Sequence, residues 1–334
     1  MIKITTDSTC DLPRHILEDL DVSVTPLGVI KAGKLYHDGV DIRTADIVAH
    51  VDGGGEITTT NAVNAADYLD LFRSLMERYD AVIHINIGMG FSCCYQNAKL
   101  AAEEVPGVYV VDSANLTVGH GLLVMAAAEA ARDGKSAWEI VAMLEEMLPR
   151  IETSFVLDRL DYMKKGGRCS TATALGASLL KLHPCLEVVD GKLPVVKKYR
   201  GSIEKVVADY VRDRLDYMKK GGRCSAVTAL GANLLKLHPC LEVIDGKLSV
   251  VKKYRGSIEK VVADYVRERL QNAGDVVTSR MWMVDTCEDD HLASIARDIL
   301  RADGRFGEIL EAKAGCTIFC HCGPGTLGLV FLRK

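Results

Sequence analysis

A block of 55 residues occurs twice in immediate succession, at 159–213 and 214–268. The copies differ at six positions: Thr171/Ala226, Ala172/Val227, Ser178/Asn233, Val189/Ile244, Pro194/Ser249 and Asp213/Glu268. Five of these exchanges can be absorbed by a surface or a core. The sixth, Pro194/Ser249, changes what the backbone can donate. Two copies are fewer than a stacked repeat array needs for stability. The block therefore reads as a tandem duplication inside one domain, and any fold must find room for it. Without one copy the 334-residue chain shortens to 279 residues, enough for one large or two medium domains.

Outside the block, short strands and helices alternate. Ile2 and Ile4 alternate with polar residues, predicting a strand over 1–6. Further strands are expected over 22–30, 81–87 and 108–111, with helices over 13–20, 45–50, 64–79, 94–103, 119–132 and 136–148. This alternation implies an α/β fold with a parallel, doubly wound sheet over 1–150. Residues 151–334, which hold both copies, read as an α+β second domain. Each copy predicts a strand pair joined by an Asp-Gly turn (Asp190-Gly191 and Asp245-Gly246).

Composition limits the function classes. The chain is 48% hydrophobic and 26% charged with a net charge of −4, so nothing points to nucleic acid. No run approaches the roughly 18 apolar residues of a membrane span. Met1-Ile2-Lys3-Ile4 leads directly into a strand with no signal-peptide pattern, and a cytoplasmic location is expected. The eleven cysteines, an odd number, are expected to be free and mostly buried.

Several residues could carry chemistry. Ser92 sits where a strand, the turn Gly88-Met89-Gly90-Phe91 and a helix meet. It suits helix capping, anion binding at a helix start, or a nucleophile. The nucleophile reading lacks its closing glycine, since Cys94 stands there. The run Thr58-Thr59-Thr60-Asn61 offers hydroxyls before a helix. Cys316, Cys320, His321 and Cys322 suggest a metal, but read as a strand they put His321 on the face opposite the cysteines. No Cys-x-x-Cys pair exists, so no metal is expected. His321, before Gly323-Pro324-Gly325, is placed to line a cleft. Lys164-Lys165-Gly166-Gly167-Arg168 and its copy ending at Arg223 are basic turns suited to an acidic contact or to solvent. No phosphate-binding glycine motif is present.

Together these stretches resemble the DegV family, fatty-acid-binding proteins that serve bacterial fatty acid kinases. The resemblance rests on Asp7-Ser8-Thr9-Cys10-Asp11-Leu12-Pro13, the Thr60-Asn61 loop, and Gly90-Phe91-Ser92 with Tyr95-Gln96-Asn97-Ala98. It rests also on 160–170 with its Lys-Lys-Gly-Gly-Arg, and on His321-Cys322-Gly323-Pro324-Gly325. It implies two domains with an acyl chain between them, and no catalysis or cofactor of the chain's own. It implies that Thr60 and Ser92 hold the carboxylate with His321 close by, that Asn61 also belongs to the ligand site, and that Arg168, or its duplicate Arg223, meets the kinase or the head group. The kinase would then form an acyl phosphate for phospholipid synthesis. The sequence departs from the family's usual pattern at Ser92-Cys93-Cys94, Thr60-Asn61-Ala62-Val63 and the duplication. A serine hydrolase using Ser92 and His321, with Asp112, is the alternative.

The physics suits a lipid carrier. Each buried methylene contributes ~0.8 kcal/mol, so an acyl chain of about sixteen to eighteen carbons gains on the order of 10 kcal/mol before losses of freedom. The alanine-rich helix near 122–131 is expected to line the tunnel. Within the duplication, 202–220 keeps helical spacing across the junction without Gly or Pro, predicting one fused helix of about 27 Å. A displaced copy would favour a homodimer or a domain swap. Arg168 is expected to keep its place at the cleft, with Arg223 remote.

Overall fold

The computed structural model describes residues 1–156, 162, 165, 182–186, 195–200, 237–244, 247–271 and 275–334. Arg168, Arg223, both Gly-Gly turns and the expected fused helix over 202–220 lie outside the described residues.

Two sheets face each other across a helical layer. The first is fully parallel, in the order β2 (Ser23–Thr25), β1 (Ile2–Asp7), β6 (Ala81–Asn86) and β7 (Val108–Asp112). All six residues of β6 are buried, as suits a strand covered on both faces. Helices α3 (Ala65–Met76) and α4 (Cys94–Ala102) cover one face. Helices α5 (Thr117–Arg132) and α6 (Ala137–Met147) cover the other. Side-chain alternation sorts the partners. His84 of β6 meets Tyr68 of α3 edge-on at 5.1 Å, while Thr6 of β1 faces His120 of α5 at 2.9 Å.

The second sheet has six strands in the order β12 (Lys247–Arg255), β11 (Leu237–Ile244), β8 (Ile151–Val156), β15 (Leu327–Leu332), β13 (Arg280–Asp285) and β14 (Glu308–Lys313). Period-two packing is explicit in β13. Trp282 and Val284 join the core shared with α5, and Met281 and Met283 join a second core under α7 (Ile258–Gln271) and α8 (His291–Asp303). The order through the molecule is thus helix, sheet, helix, sheet, helix. Among the described residues no helix is long and apolar enough to cross a membrane.

The stretch 22–30, expected as one strand, is two. Pro26 separates β2 from β3 (Gly28–Lys31), which turns at Ala32-Gly33 into β4 (Lys34–His37). Both turn residues have positive φ, 49° and 76°, as a tight hairpin of this kind requires. The threonine run expected as a loop is β5 (Thr59–Asn61), paired antiparallel to β3 with Thr60 opposite Val29. Ser8–Cys10 form a 3-10 turn ahead of the helix α1 (Arg14–Asp19), with Asp7 at its N-cap accepting the Thr9 amide.

The two copies contribute unequally. The hairpin β11–β12 comes from the second copy and lies against β8, with Cys240, Leu241 and Glu242 opposite Val156, Phe155 and Ser154. The helix that follows it, α7, is fixed to β8 by Tyr265, whose hydroxyl donates to the Ser154 carbonyl at 2.7 Å. Tyr162 of the first copy, by contrast, is buried against Phe319 with ring centroids 6.0 Å apart. The second sheet and its surroundings are therefore a composite, entered through copy one and completed by copy two. The equivalent hairpin of copy one, β9 (Leu182–Leu186) with β10 (Val195–Arg200), is a separate two-stranded sheet. β12 includes Ser249 opposite Glu242, a position that Pro194 takes in copy one and where a proline cannot donate to a ladder.

Candidate functional site

Three segments converge on one cavity of about 430 Å³. The first is the corner after β6. Gly88 has no room for a side chain there: a Cβ would lie 2.9 Å from backbone atoms of Ala114 and Asn115. Asp112 holds the turn by accepting the amides of Met89 and Ala114, both at 3.0 Å. This is the acid that a hydrolase reading would assign to His321. Ser92 follows, and its hydroxyl oxygen accepts the Cys94 amide at 3.3 Å at the start of α4 while also lining the cavity. Burial, reinforced by the charge of Asp7, pushes the Cys94 thiol up, away from thiolate.

The second segment is β5. Its pairing with β3 sets Thr60 half-buried and Asn61 exposed at the cavity wall. The third carries His321. Residues 316–322 form a helix, α9 (Cys316–Cys322), and not the strand that a period-two reading predicts. The reason is tertiary. Asp38 accepts the amides of Cys316 and Thr317, both at 2.9 Å, and Asp11 accepts the amide of Gly315 at 2.9 Å. Three orphan donors of the first turn are thereby satisfied from nearly 300 residues away, which no local pattern reveals. Gly323, with φ of 69°, closes the helix.

The helix changes which residues share a face. Thr317, Ile318, His321 and Cys322 line the cavity. Cys316, Phe319 and Cys320 pack instead into a core with Val29, Ile42, Tyr162 and Ile47 of α2 (Thr44–Asp52). Cys320 and His321 thus point apart for a different reason than the one expected. Cys320 meets the Thr58 hydroxyl at 2.9 Å, and burial raises its thiol to about 12. His321 Nε2 stands 3.0 Å from Thr60 Oγ1. Among the described residues, one group has metal-ligand spacing: Cys287, Asp289 and His291, with ligand atoms within 4.8 Å of one another. The ammonium of Lys313 donates to the Cys287 carbonyl there at 2.9 Å, an unfavourable neighbour for a cation.

The cavity brings Thr60, Asn61, Ser92 and His321 together, and adds Asn64, Asn97 and Thr317 as polar neighbours that are not among the expected site residues. Asn97 also donates to the Val63 carbonyl at 2.7 Å. Leu27, Ile87, Phe91, Leu116, Phe155 and Ile318 supply an apolar remainder. The site therefore combines hydroxyl and amide side chains with an apolar wall. A second chamber of about 20 Å³ lies behind the wall of Leu116, Phe155, Ile318 and Cys322, which both spaces share. Residues 122–131 do not line either space. Helix α5 is sandwiched between the sheets, and its small residues serve that close packing.

Comparison with known proteins gives a consistent result. The family described as "Uncharacterised protein, DegV family" matches residues 1–210 and again residues 203–334. A DegV domain-containing protein of Caldanaerobacter subterraneus subsp. tengcongensis is 36% identical over 335 residues, covering 100% of this chain and 99% of its own. One from Clostridium acetobutylicum is 37% identical with the same coverage. Among solved structures, a DegV family protein from Thermus thermophilus, described as fatty-acid binding, aligns with a TM-score of 0.75. It is 25% identical and covers 100% of this chain and 99% of that one.

Proposed function

Since the chain belongs to the DegV family, we propose that it binds a long-chain fatty acid and presents the carboxylate to a separate ATP-dependent fatty acid kinase. The observation that carries this reading is the cavity itself, which is lined both by hydrogen-bonding side chains (Thr60, Ser92 and His321) and by apolar ones. A carboxylate needs hydrogen bonds, and a tail needs a dry surface. Hydroxyls and an imidazole bind the head group without the tight ion pair that would oppose release. The Thermus thermophilus relative, described as binding fatty acid, supports the ligand class.

In this reading the chain is a carrier and does no chemistry of its own. The partner kinase phosphorylates the exposed head group, giving an acyl phosphate for phospholipid synthesis. Asn61 contributes a further donor at the wall, and Arg168, with Arg223 as its duplicate, meets the kinase or the head group. A cytoplasmic location follows from that partnership. The test is direct. Lipids extracted from purified protein are identified by mass spectrometry, and the protein is then offered labelled palmitate. Neither a co-purified nor an exchangeable fatty acid would end the proposal. ATP-dependent acyl-phosphate formation with added kinase tests the partnership separately.

A further inference from the structure

Thr317 has an anomaly that the carrier reading explains. The residue is 4% exposed, and its hydroxyl has no hydrogen-bond partner among the described residues. Its backbone amide, by contrast, is bound by Asp38 at 2.9 Å. An orphaned buried hydroxyl is costly, and native proteins seldom keep one without a use. Thr317 also lies on the wall of the large cavity, one helical turn before His321 and on the same face of α9. Thr60 and Ser92 line the same space from the other two segments.

We infer that Thr317 is a head-group ligand: its hydroxyl donates to the carboxylate of the bound acid, completing a ring of donors with Thr60, Ser92 and His321. One χ1 step carries a threonine hydroxyl to the place its methyl held, so the donor turns toward the cavity when an acceptor arrives. The inference rests on the fatty-acid reading. It makes Thr317 a determinant of the choice between a free acid and an uncharged lipid of equal length. A hydrogen bond to a charged acceptor is worth more than one to a neutral group.

The experiment uses the full chain stripped of lipid, with Thr317→Val and Thr317→Ser as variants. Palmitate and methyl palmitate are the probes, and thermal melting is measured in parallel. Valine keeps the shape and removes the donor; serine keeps the donor. For Thr317→Val we expect a roughly ten- to hundred-fold loss of palmitate affinity. Methyl palmitate affinity should stay nearly unchanged, and the lipid-free protein should melt at an equal or higher temperature. Thr317→Ser should bind palmitate within a few-fold of the parent. Equal palmitate binding by parent and Thr317→Val overturns the inference and leaves the carrier reading standing. A lower lipid-free melting temperature for Thr317→Val overturns it too, since that marks a structural hydroxyl. A parent that binds no palmitate removes the carrier reading itself.

Discussion

Asp38 and Thr317 meet across 279 positions: the Asp38 carboxylate accepts the Thr317 amide at 2.9 Å, and its other oxygen accepts the Cys316 amide at the same distance. This buried carboxylate also takes the Ser8 hydroxyl at 3.2 Å. It is the reason that 316–322 coils and that His321 reaches Thr60. Asp38→Ala should therefore lower stability by about 2 kcal/mol, the range of a buried cap with charge-assisted bonds. It should weaken fatty-acid binding as well, though Asp38 does not line the cavity. Urea denaturation and a binding titration on one preparation check both. Unchanged affinity would show that α9 keeps its pose without the cap.

Thr60 and His321 should behave as a unit toward ligand, because Thr60 Oγ1 and His321 Nε2 are 3.0 Å apart. A double-mutant cycle with Thr60→Val and His321→Ala should give a coupling of about 1 kcal/mol in palmitate affinity. Strict additivity would mean that the two contact the ligand independently.

Much of this arrangement is legible in the sequence, and the exceptions share a cause. The strand–turn–helix corner at Ser92 depends on local signals, a buried apolar run followed by Gly88 and a helix start, and it forms where expected. Thr60, Asn61 and His321 stand out by residue type and by the family resemblance, and they line the same cavity as Ser92. The helix at 316–322 escapes a local reading because its first turn is held by Asp11 and Asp38, from the other end of the chain. Thr317 is invisible for the same reason, since only a helix puts it on the face of His321. Composition alone assigns 122–131 to the tunnel. Small residues fit a close helix–sheet contact equally well, and that is where they lie.

Phe155 should limit acyl length. It belongs to the wall between the two chambers, is 4% exposed, and pairs in register with Leu241 and Gly328. Phe155→Leu removes bulk from that wall at a cost of about 1–2 kcal/mol, less than the roughly 3–5 kcal/mol of an alanine. The mixture of lipids recovered from the variant should shift toward longer chains, read by mass spectrometry against the parent. An unchanged distribution would place the tail elsewhere.

His84 gives the fold a defined acid sensitivity. It is fully buried in β6, near the Thr5 hydroxyl at 2.7 Å and Asn86 at 3.1 Å. Burial lowers its pKa from 6.5 to about 4. The unfolded chain binds a proton that the folded chain refuses between those values, so stability falls as pH drops from about 6.5 toward 4. The loss approaches roughly 3 kcal/mol at the lower limit. Burial lowers His120 in the same sense. Asp11 opposes, because burial raises its carboxyl and favours the proton in the folded state. Comparing the parent with His84→Gln cancels these shared contributions. The variant's denaturation midpoint should decline less between about pH 7 and about pH 4, and parallel curves would remove His84 as the cause.

A disulfide can report which copy of the duplicated block completes the second sheet. Cys240 of β11 is the register partner of Val156 in β8, and directly opposed residues on antiparallel strands bring their Cβ atoms within disulfide reach. The variant Val156→Cys, mildly oxidised, should therefore form a disulfide with Cys240. If the first copy's hairpin took this place, Cys185 would occupy the same position. Trypsin separates the two cases. Its peptides 182–192 and 237–247 differ only at Val189/Ile244, so the product from copy two is one methylene heavier. We expect the heavier peptide, because Ser249 can donate to the ladder opposite Glu242 where Pro194 cannot. Recovery of the lighter one as the main product would assign the sheet to copy one. Joined by light scattering on the intact chain and on a chain lacking 214–268, the same experiment shows whether the spare hairpin pairs copies of the protein. A disulfide from the introduced thiol of one molecule to Cys185 of another would be that pairing.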